Sequence, residues 1–172
     1  MIATMNGPGQ PAVTIREALP DEFTAIGQII VAAYQALGTE PDDYLEELRD
    51  TAARAQAGTV LVAVDSAGRL LGTVTYVPGP GTALSEIERE NEAGFRALAV
   101  APATHGLGVG RALVEAVIAS ARAKGRVGVA MYTRPSMLAA QHLYESLGFG
   151  RQPAEDWSFA PGEWLWAYRL EF

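Results

Sequence analysis

The chain has 172 residues, with 13 basic and 20 acidic side chains and a formal net charge of −7 at pH 7. At roughly 100–200 residues per domain, this length predicts a single domain with a core of its own. Hydrophobic residues make up 49% and charged residues 19%, a balance that excludes a wholly disordered chain. The sequence contains no cysteine, which excludes disulfides, thiolate metal sites and cysteine nucleophiles.

Charge and segment content also exclude several classes of partner. A nucleic-acid-binding surface needs clustered basic residues, whereas the only lysine is Lys124 and the arginines are scattered. The only histidines are His105 and His142, so we expect no metal site. No stretch approaches the ~18 apolar residues of a membrane span, and the first residues lack the features of a secretory signal. We therefore expect a cytoplasmic protein without nucleic-acid or membrane partners.

Apolar periodicity and breaks at glycine and proline predict the elements in chain order. Residues 1–11 predict a flexible tail, and residues 12–172 predict one folded domain. The predicted order is a strand at 13–19, helices at 20–37 and 41–57, strands at 59–65, 69–77 and 94–100, a helix at 107–124, a strand at 126–133, a helix at 136–147 and a strand at 164–170. The strand–helix–strand run in the second half favours parallel pairing within a mixed sheet, and therefore an α/β fold.

The most informative segment is residues 97–117, where a predicted strand runs into three glycines at the start of a helix. Gly106, Gly108 and Gly110 let the backbone approach a ligand closely, and the free N–H groups of a helix N-terminus favour phosphate. A flexible connector or a close helix–strand contact would explain the same glycines. The dinucleotide-binding pattern G-x-G-x-x-G fails because Arg111 stands at its third glycine, and no Gly-Lys-Ser/Thr follows for a P-loop.

Two segments together resemble the GNAT superfamily of N-acetyltransferases. LAVAPATHGLGVGRALV, residues 98–114, is similar to that family's acetyl-CoA pyrophosphate loop. AAQHLYESLGF, residues 139–149, is similar to its helix with a tyrosine just before a Leu-Gly-Phe ending. The resemblance implies a strongly twisted mixed sheet of six to seven strands, flanked by about four helices. It also implies that the sheet splays open at a central cofactor cleft, between the strand ending at Val100 and the strand at 126–133.

The resemblance implies acetyl-CoA as co-substrate. Its pantetheine arm is expected to pair with the backbone of Leu98, Ala99 and Val100 like an added strand. Its pyrophosphate is expected to meet backbone N–H groups of a seven-residue loop. The residues of that loop are His105, Gly106, Leu107, Gly108, Val109, Gly110 and Arg111.

Two positions in these segments depart from the family pattern. His105 stands where the family usually has arginine or glutamine, and Met137 stands where it usually has asparagine. The neighbouring Ser136 is the expected substitute for the hydrogen bond of that asparagine to the cofactor.

Acetyl transfer from a thioester to an amine needs a base for the ammonium proton, a donor for the oxyanion and an acid for the departing thiolate. Without cysteine or a serine in a G-x-S-x-G elbow, direct attack within a ternary complex is favoured. By resemblance, Tyr144 is the candidate general acid. The alternative is that Tyr144 belongs only to the buried side of its helix. The oxyanion donor is expected among the backbone N–H groups of residues 98–100.

The identity of the base is the open question of the sequence. Gly94 stands where many relatives carry a glutamate, and Glu92 lies two residues earlier on the same face of the predicted strand. Glu92 is therefore the candidate base, acting through a water. The alternative is that Glu86, Glu88, Glu90 and Glu92 form a solvated acidic stretch.

The resemblance implies an N-acetyltransferase acting on a primary amine of a small molecule or peptide. Tyr34, Tyr44 and Trp157 are expected to line the acceptor pocket. A non-catalytic acyl-CoA-binding or sensor module on the same fold stays open, because Gly94 replaces a glutamate and fold does not fix function. Members of the family are often dimers, which makes a homodimer the expected assembly.

Overall fold

A computed structural model describes residues 3–5, 13–38, 42–86 and 89–172. Within these ranges there are nine strands and five α-helices. The strands are β1 Ala3–Met5, β2 Val13–Glu17, β3 Thr59–Val64, β4 Leu70–Val77, β5 Glu92–Val100, β6 Gly128–Thr133, β7 Gly150–Arg151, β8 Trp157–Ala160 and β9 Glu163–Glu171. The helices are α1 Phe23–Gln35, α2 Asp42–Arg49, α3 Thr51–Ala57, α4 Val109–Ala123 and α5 Leu138–Ser146.

The sheet is mixed, which confirms the predicted fold class. Its strands follow the order β1-β2-β3-β4-β5-β6-β9-β7, and β8 pairs with β9 outside this path. β5 and β6 run parallel, whereas the β4–β5 and β6–β9 pairs on either side are antiparallel. The described ranges hold more strands and helices than the six to seven strands and about four helices expected. The additions are short elements such as β1, β7 and β8, which are too brief to show a hydrophobic period.

Two segments differ from the elements predicted for them. Ala3–Met5 pairs antiparallel with Val13–Ile15 of β2, where a flexible tail was expected over residues 1–11; the rest of that tail lies outside the described residues. The predicted helix at 41–57 is divided into α2 and α3 at Asp50. The Asp50 carboxylate accepts a hydrogen bond from the Ala53 backbone N–H at 2.9 Å, which caps the start of α3.

Helices cover both faces of the sheet, and each face has a separate apolar core. On one face, Leu113 and Val117 of α4 are fully buried against strands β3 to β6. On the other, Ile26 and Ile30 of α1 are buried with the alternate residues of β3. In each helix the two residues lie four positions apart, which is the spacing of one helix face.

A β-bulge in β5 changes which face of the sheet its side chains reach. Thr75 pairs with Arg96 and Thr73 with Ala99, so three residue steps on β5 oppose two on β4. Ala97, inside the bulge, has φ of 51°, and among the described residues it is the only non-glycine residue at positive φ. Before the bulge, the side chains of Ala93 and Phe95 pack in the core on the α4 side of the sheet. Within and after the bulge, Ala97 and Ala99 pack in the core on the α1 side.

The left-handed backbone of Ala97 should show in the stability of a glycine variant. Ala97→Gly relieves roughly 1–2 kcal/mol of left-handed strain. This gain offsets the loss of a buried methyl group and the greater conformational entropy of the unfolded chain. Ala93→Gly, on the same strand and equally buried, has no such strain to relieve. We expect Ala97→Gly to cost about 1–2 kcal/mol less in urea unfolding than Ala93→Gly. Equal losses of unfolding free energy in the two variants would show that the backbone of Ala97 is not strained.

The sheet opens between its two parallel strands. β5 pairs with β6 only where Glu92, Ala93 and Gly94 face residues 128–130. Beyond that point β5 stays paired with β4, and β6 stays paired with β9 as far as Thr133. This divergence confirms the predicted splay and leaves one backbone edge of β5 facing an open cleft.

Candidate active site

The opening between β5 and β6 forms a cleft of about 780 Å³, called here the main cleft. It is bounded by the edge of β5, the start of α4 and one side of α5. Its walls include Tyr144 and every predicted cofactor-binding residue except Leu107, whose side chain is exposed. These cofactor-binding residues are Leu98, Ala99, Val100, His105, Gly106, Gly108, Val109, Gly110, Arg111 and Ser136.

The free edge of β5 offers backbone groups to an extended ligand. No strand pairs with this edge beyond Gly94 within the described part of the chain. The carbonyl of Val100 lies 3.2 Å from His105 Nε2 in the main cleft. Because a carbonyl only accepts hydrogen bonds, His105 donates through Nε2. An incoming amide that paired with Val100 would take the place of the imidazole.

The N-terminus of α4 forms the other end of the main cleft. Gly106 and Gly108 have φ of 78°, in the region that glycine tolerates best, and Gly108 is the N-cap. The first turn of α4 has no side-chain cap and no acidic residue. Arg111 adds positive charge there, and donates a hydrogen bond to Ser146 at 2.6 Å. Uncapped N–H groups, the helix dipole and a guanidinium together favour an anion.

Tyr144 belongs both to the core and to the main cleft. Its side chain is buried, with ring centroids 5.6 Å from Phe95, 5.9 Å from Phe149 and 6.2 Å from Tyr168. Burial raises the pKa of the Tyr144 hydroxyl well above its ordinary value, so the group keeps its proton at neutral pH. The hydroxyl makes no hydrogen bond to any described residue, and it can therefore donate its proton to a ligand.

A second cavity of about 390 Å³, called here the side cavity, adjoins the main cleft. The two cavities share seven lining residues on α1, β5, β6 and the loop after β6. They are Tyr34, Phe95, Arg96, Ala97, Tyr132, Thr133 and Met137. Six aromatic side chains wall the side cavity. They are Tyr34, Tyr44, Phe95, Tyr132, Trp157 and Phe159. The three aromatic residues predicted for an acceptor pocket are all in this set.

Glu86 brings a carboxylate to the side cavity from the loop before β5. Its side chain is 27% exposed, and Oε1 lies 3.4 Å from a guanidinium nitrogen of Arg96. Burial raises the pKa of Glu86, Arg96 opposes this increase and Glu47 adds to it. A hole of about 10 Å³ separates Glu86 from Phe95 and Tyr132. This is close to the roughly 10–15 Å³ that one water needs.

Glu92 lies elsewhere, in a buried ionic network. Its side chain is 3% exposed, and Oε1 is 2.8 Å from Nε of Arg169. Arg169 also donates to Glu155 at 2.6 Å. Glu92 lines neither the main cleft nor the side cavity. Its role as general base stays a prediction that this position does not support, because a buried guanidinium already holds the carboxylate.

The alternative of a solvated acidic stretch holds only for part of the segment. Glu90 is exposed, but Glu86 is half-buried and Glu92 is fully buried. Glu88 lies outside the described residues. The spacing of these glutamates at every second position did not indicate that arginines on β5 and β9 would draw two of the carboxylates inward.

The profile of the family described as "Acetyltransferase (GNAT) family" matches residues 15–149. The chain belongs to the GNAT acetyltransferase family. A curated relative, the mycothiol acetyltransferase of Renibacterium salmoninarum, is 28% identical over 152 residues, which are 83% of this chain and 42% of that protein. The chain thus spans about two fifths of the length of that relative.

Solved structures share the GNAT fold with this chain. A GCN5-related N-acetyltransferase from Kribbella flavida is 24% identical, with a TM-score of 0.71 over 96% of this chain and 100% of its own. A GNAT family acetyltransferase from Brucella melitensis, solved in complex with acetyl-CoA, is 23% identical, with a TM-score of 0.64 over 93% of this chain and 88% of its own. The family resemblance found in the sequence is confirmed.

Two further properties of the GNAT chain follow from its described residues. None of their helices combines the length and apolarity needed to cross a bilayer. The same residues contain no group of three or more histidine, aspartate or glutamate side chains placed to hold a metal ion.

Proposed function

We propose that this GNAT protein is an N-acetyltransferase that transfers the acetyl group of acetyl-CoA to a primary amine of a small molecule or peptide. The observation that carries the proposal is the junction of two cavities beside the β5 bulge. The main cleft offers a backbone edge and a helix N-terminus that suit pantetheine and pyrophosphate. The side cavity offers a separate, aromatic-walled entry for an acceptor. Two entries that meet at one point suit direct attack within a ternary complex.

Each proton and bond of the reaction has a group assigned to it. The acceptor ammonium gives its proton, through a water, to the Glu86 carboxylate. The amine nitrogen then attacks the thioester carbon, and a backbone N–H of β5 between residues 98 and 100 stabilises the oxyanion. As the carbon–nitrogen bond forms and the carbon–sulfur bond breaks, the attacking nitrogen gives its second proton to water and the departing thiolate takes the proton of Tyr144. Glu86 then passes the first proton on to solvent. The phenolate regains a proton from solvent as CoA leaves.

The reaction is tested by thiol release from acetyl-CoA in the presence of a panel of primary amines, with calorimetric titration of CoA on the same sample. Thiol release that depends on the amine supports the proposal. CoA binding without amine-dependent release would support the non-catalytic acyl-CoA-binding module instead. Absence of CoA binding would overturn both. Two observations favour an enzyme over the non-catalytic module. Tyr144 lines the main cleft, and the side cavity offers a second entry that joins that cleft.

Glu86→Gln tests the assignment of the base. Only the ionised carboxylate accepts a proton, so activity should rise with pH through the pKa of Glu86, which burial places above its ordinary value. We expect Glu86→Gln to lower kcat/KM at pH 7 at least about tenfold and to remove this acid limb from the pH profile. The measurement is kcat/KM from pH 5 to 9 with one amine.

Glu92→Gln is the matched control for the base. It removes a buried carboxylate that lines neither cavity and leaves Arg169 without one of its partners. We expect Glu92→Gln to be less stable than the wild type, but to keep the acid limb of the pH profile of kcat/KM. An acid limb lost in Glu92→Gln and kept in Glu86→Gln would return the base role to Glu92.

A further inference from the structure

One carboxylate of the side cavity lacks a cationic partner among the described residues. Two guanidiniums line it, and each has a carboxylate partner: Arg96 lies 3.4 Å from Glu86, and Arg134 lies 2.7 Å from Glu163. Asp43, in the first turn of α2, also lines the cavity. Its Oδ1 accepts a backbone hydrogen bond from the next residue, but no described residue forms an ion pair with it. Of the two carboxylates that line the side cavity, Glu86 faces Arg96, whereas Asp43 has no cationic partner among the described residues.

The aromatic walls of the side cavity favour a cation in the same place. Three of their ring pairs meet edge to face: Tyr34 with Tyr44 at 6.3 Å, Tyr132 with Trp157 at 6.4 Å, and Trp157 with Phe159 at 6.1 Å between centroids. The faces of aromatic rings attract ammonium groups, and they also pack against methylene chains. A carboxylate beside such walls selects a positive group attached to an apolar chain.

Asp43 belongs to the side cavity alone. It does not line the main cleft, whereas Tyr34, Arg96 and Tyr132 line both. A positive group at Asp43 is therefore not the amine that reaches the thioester. It is a second positive group on the same acceptor.

We propose that the acceptor is a diamine-type dication. Its reacting amine lies at the junction with the main cleft, its methylene chain lies along the aromatic walls, and its distal ammonium pairs with Asp43. This inference rests on the proposed acetyl transfer and specifies its acceptor class. It excludes acceptors with a carboxylate at the distal end, which Asp43 would repel.

The test compares thiol release with α,ω-diamines of three to six carbons, with n-alkyl monoamines and with ω-amino acids of the same lengths. We expect diamines to exceed matched monoamines about tenfold in kcat/KM, and ω-amino acids to fall below both. Because both ends of the acceptor are held, the diamine series should show a maximum at one chain length. The preference should weaken as salt is added, since salt screens the exposed pair.

Asp43→Asn and Asp42→Asn form a matched pair of variants. Both aspartates are exposed in the first turn of α2, and only Asp43 lines the cavity. We expect Asp43→Asn to lower kcat/KM at least about fivefold more for the diamine than for the monoamine, and Asp42→Asn to change neither value. Equal rates for matched diamines and monoamines, or equal effects of the two variants, would overturn this inference alone. Absence of thiol release with every amine would overturn the proposed function as well.

Discussion

Tyr144→Phe is expected to lower kcat at least about tenfold, within the ~10²–10⁴ range of general acid catalysis, while the affinity for CoA stays close to that of the wild type. The substitution removes only the hydroxyl that would protonate the thiolate. The phenyl ring keeps its packing against Phe95, Phe149 and Tyr168, so the fold should persist. The measurements are kcat by thiol release and the Kd for CoA by calorimetry.

Tyr168→Phe provides the control for this result. Tyr168 belongs to the same ring cluster and is equally buried, but its hydroxyl donates to Glu145 at 3.2 Å and it does not line the main cleft. We expect a modest loss of stability and nearly normal turnover. Unchanged turnover in Tyr144→Phe, or an equal loss in both variants, would remove the acid role from Tyr144.

Gly110→Glu is expected to weaken CoA binding at least about hundredfold while the helix becomes more stable. Charge-assisted hydrogen bonds contribute ~1.5–3 kcal/mol each, so the loss of two reaches this size. A β-carbon at this position would lie 3.4 Å from Leu143 and 3.6 Å from Val100, which is ordinary van der Waals contact. The new carboxylate would occupy the helix N-terminus in place of the pyrophosphate. Stability should rise, because glutamate replaces glycine in the first turn and complements the dipole.

Gly110→Gln separates charge from bulk at the same position. It adds nearly the same volume and helix propensity without the negative charge. We expect its Kd for CoA to lie between those of the wild type and Gly110→Glu, and the gap between the two variants to narrow at high salt. Equal losses in the two variants would assign the effect to size. Normal binding in both would contradict the anion site at the start of α4.

Most of the fold was predictable because its elements carry local signals. The strand before the glycines, the buried side of α4 and the helix containing Tyr144 each follow from hydrophobic period and terminal glycines. The short strands β7 and β8 do not, since two and four residues carry no period. The division between α2 and α3 depends on Asp50, whose side chain acts as a cap only once the backbone turns there.

The amino-acid order alone determined the family, the order of the long elements and the glycines and tyrosine of the main cleft, because these are properties of short continuous segments. Only the tertiary structure decided where each carboxylate lies. Glu92 lies in the core beside Arg169, which is far away in sequence. Glu86 and Asp43 come from separate segments, and both line the side cavity. The bulge at Ala97 likewise depends on the pairing of β4 with β5. Such contacts join distant segments, and only the packed chain brings their charges close enough to interact.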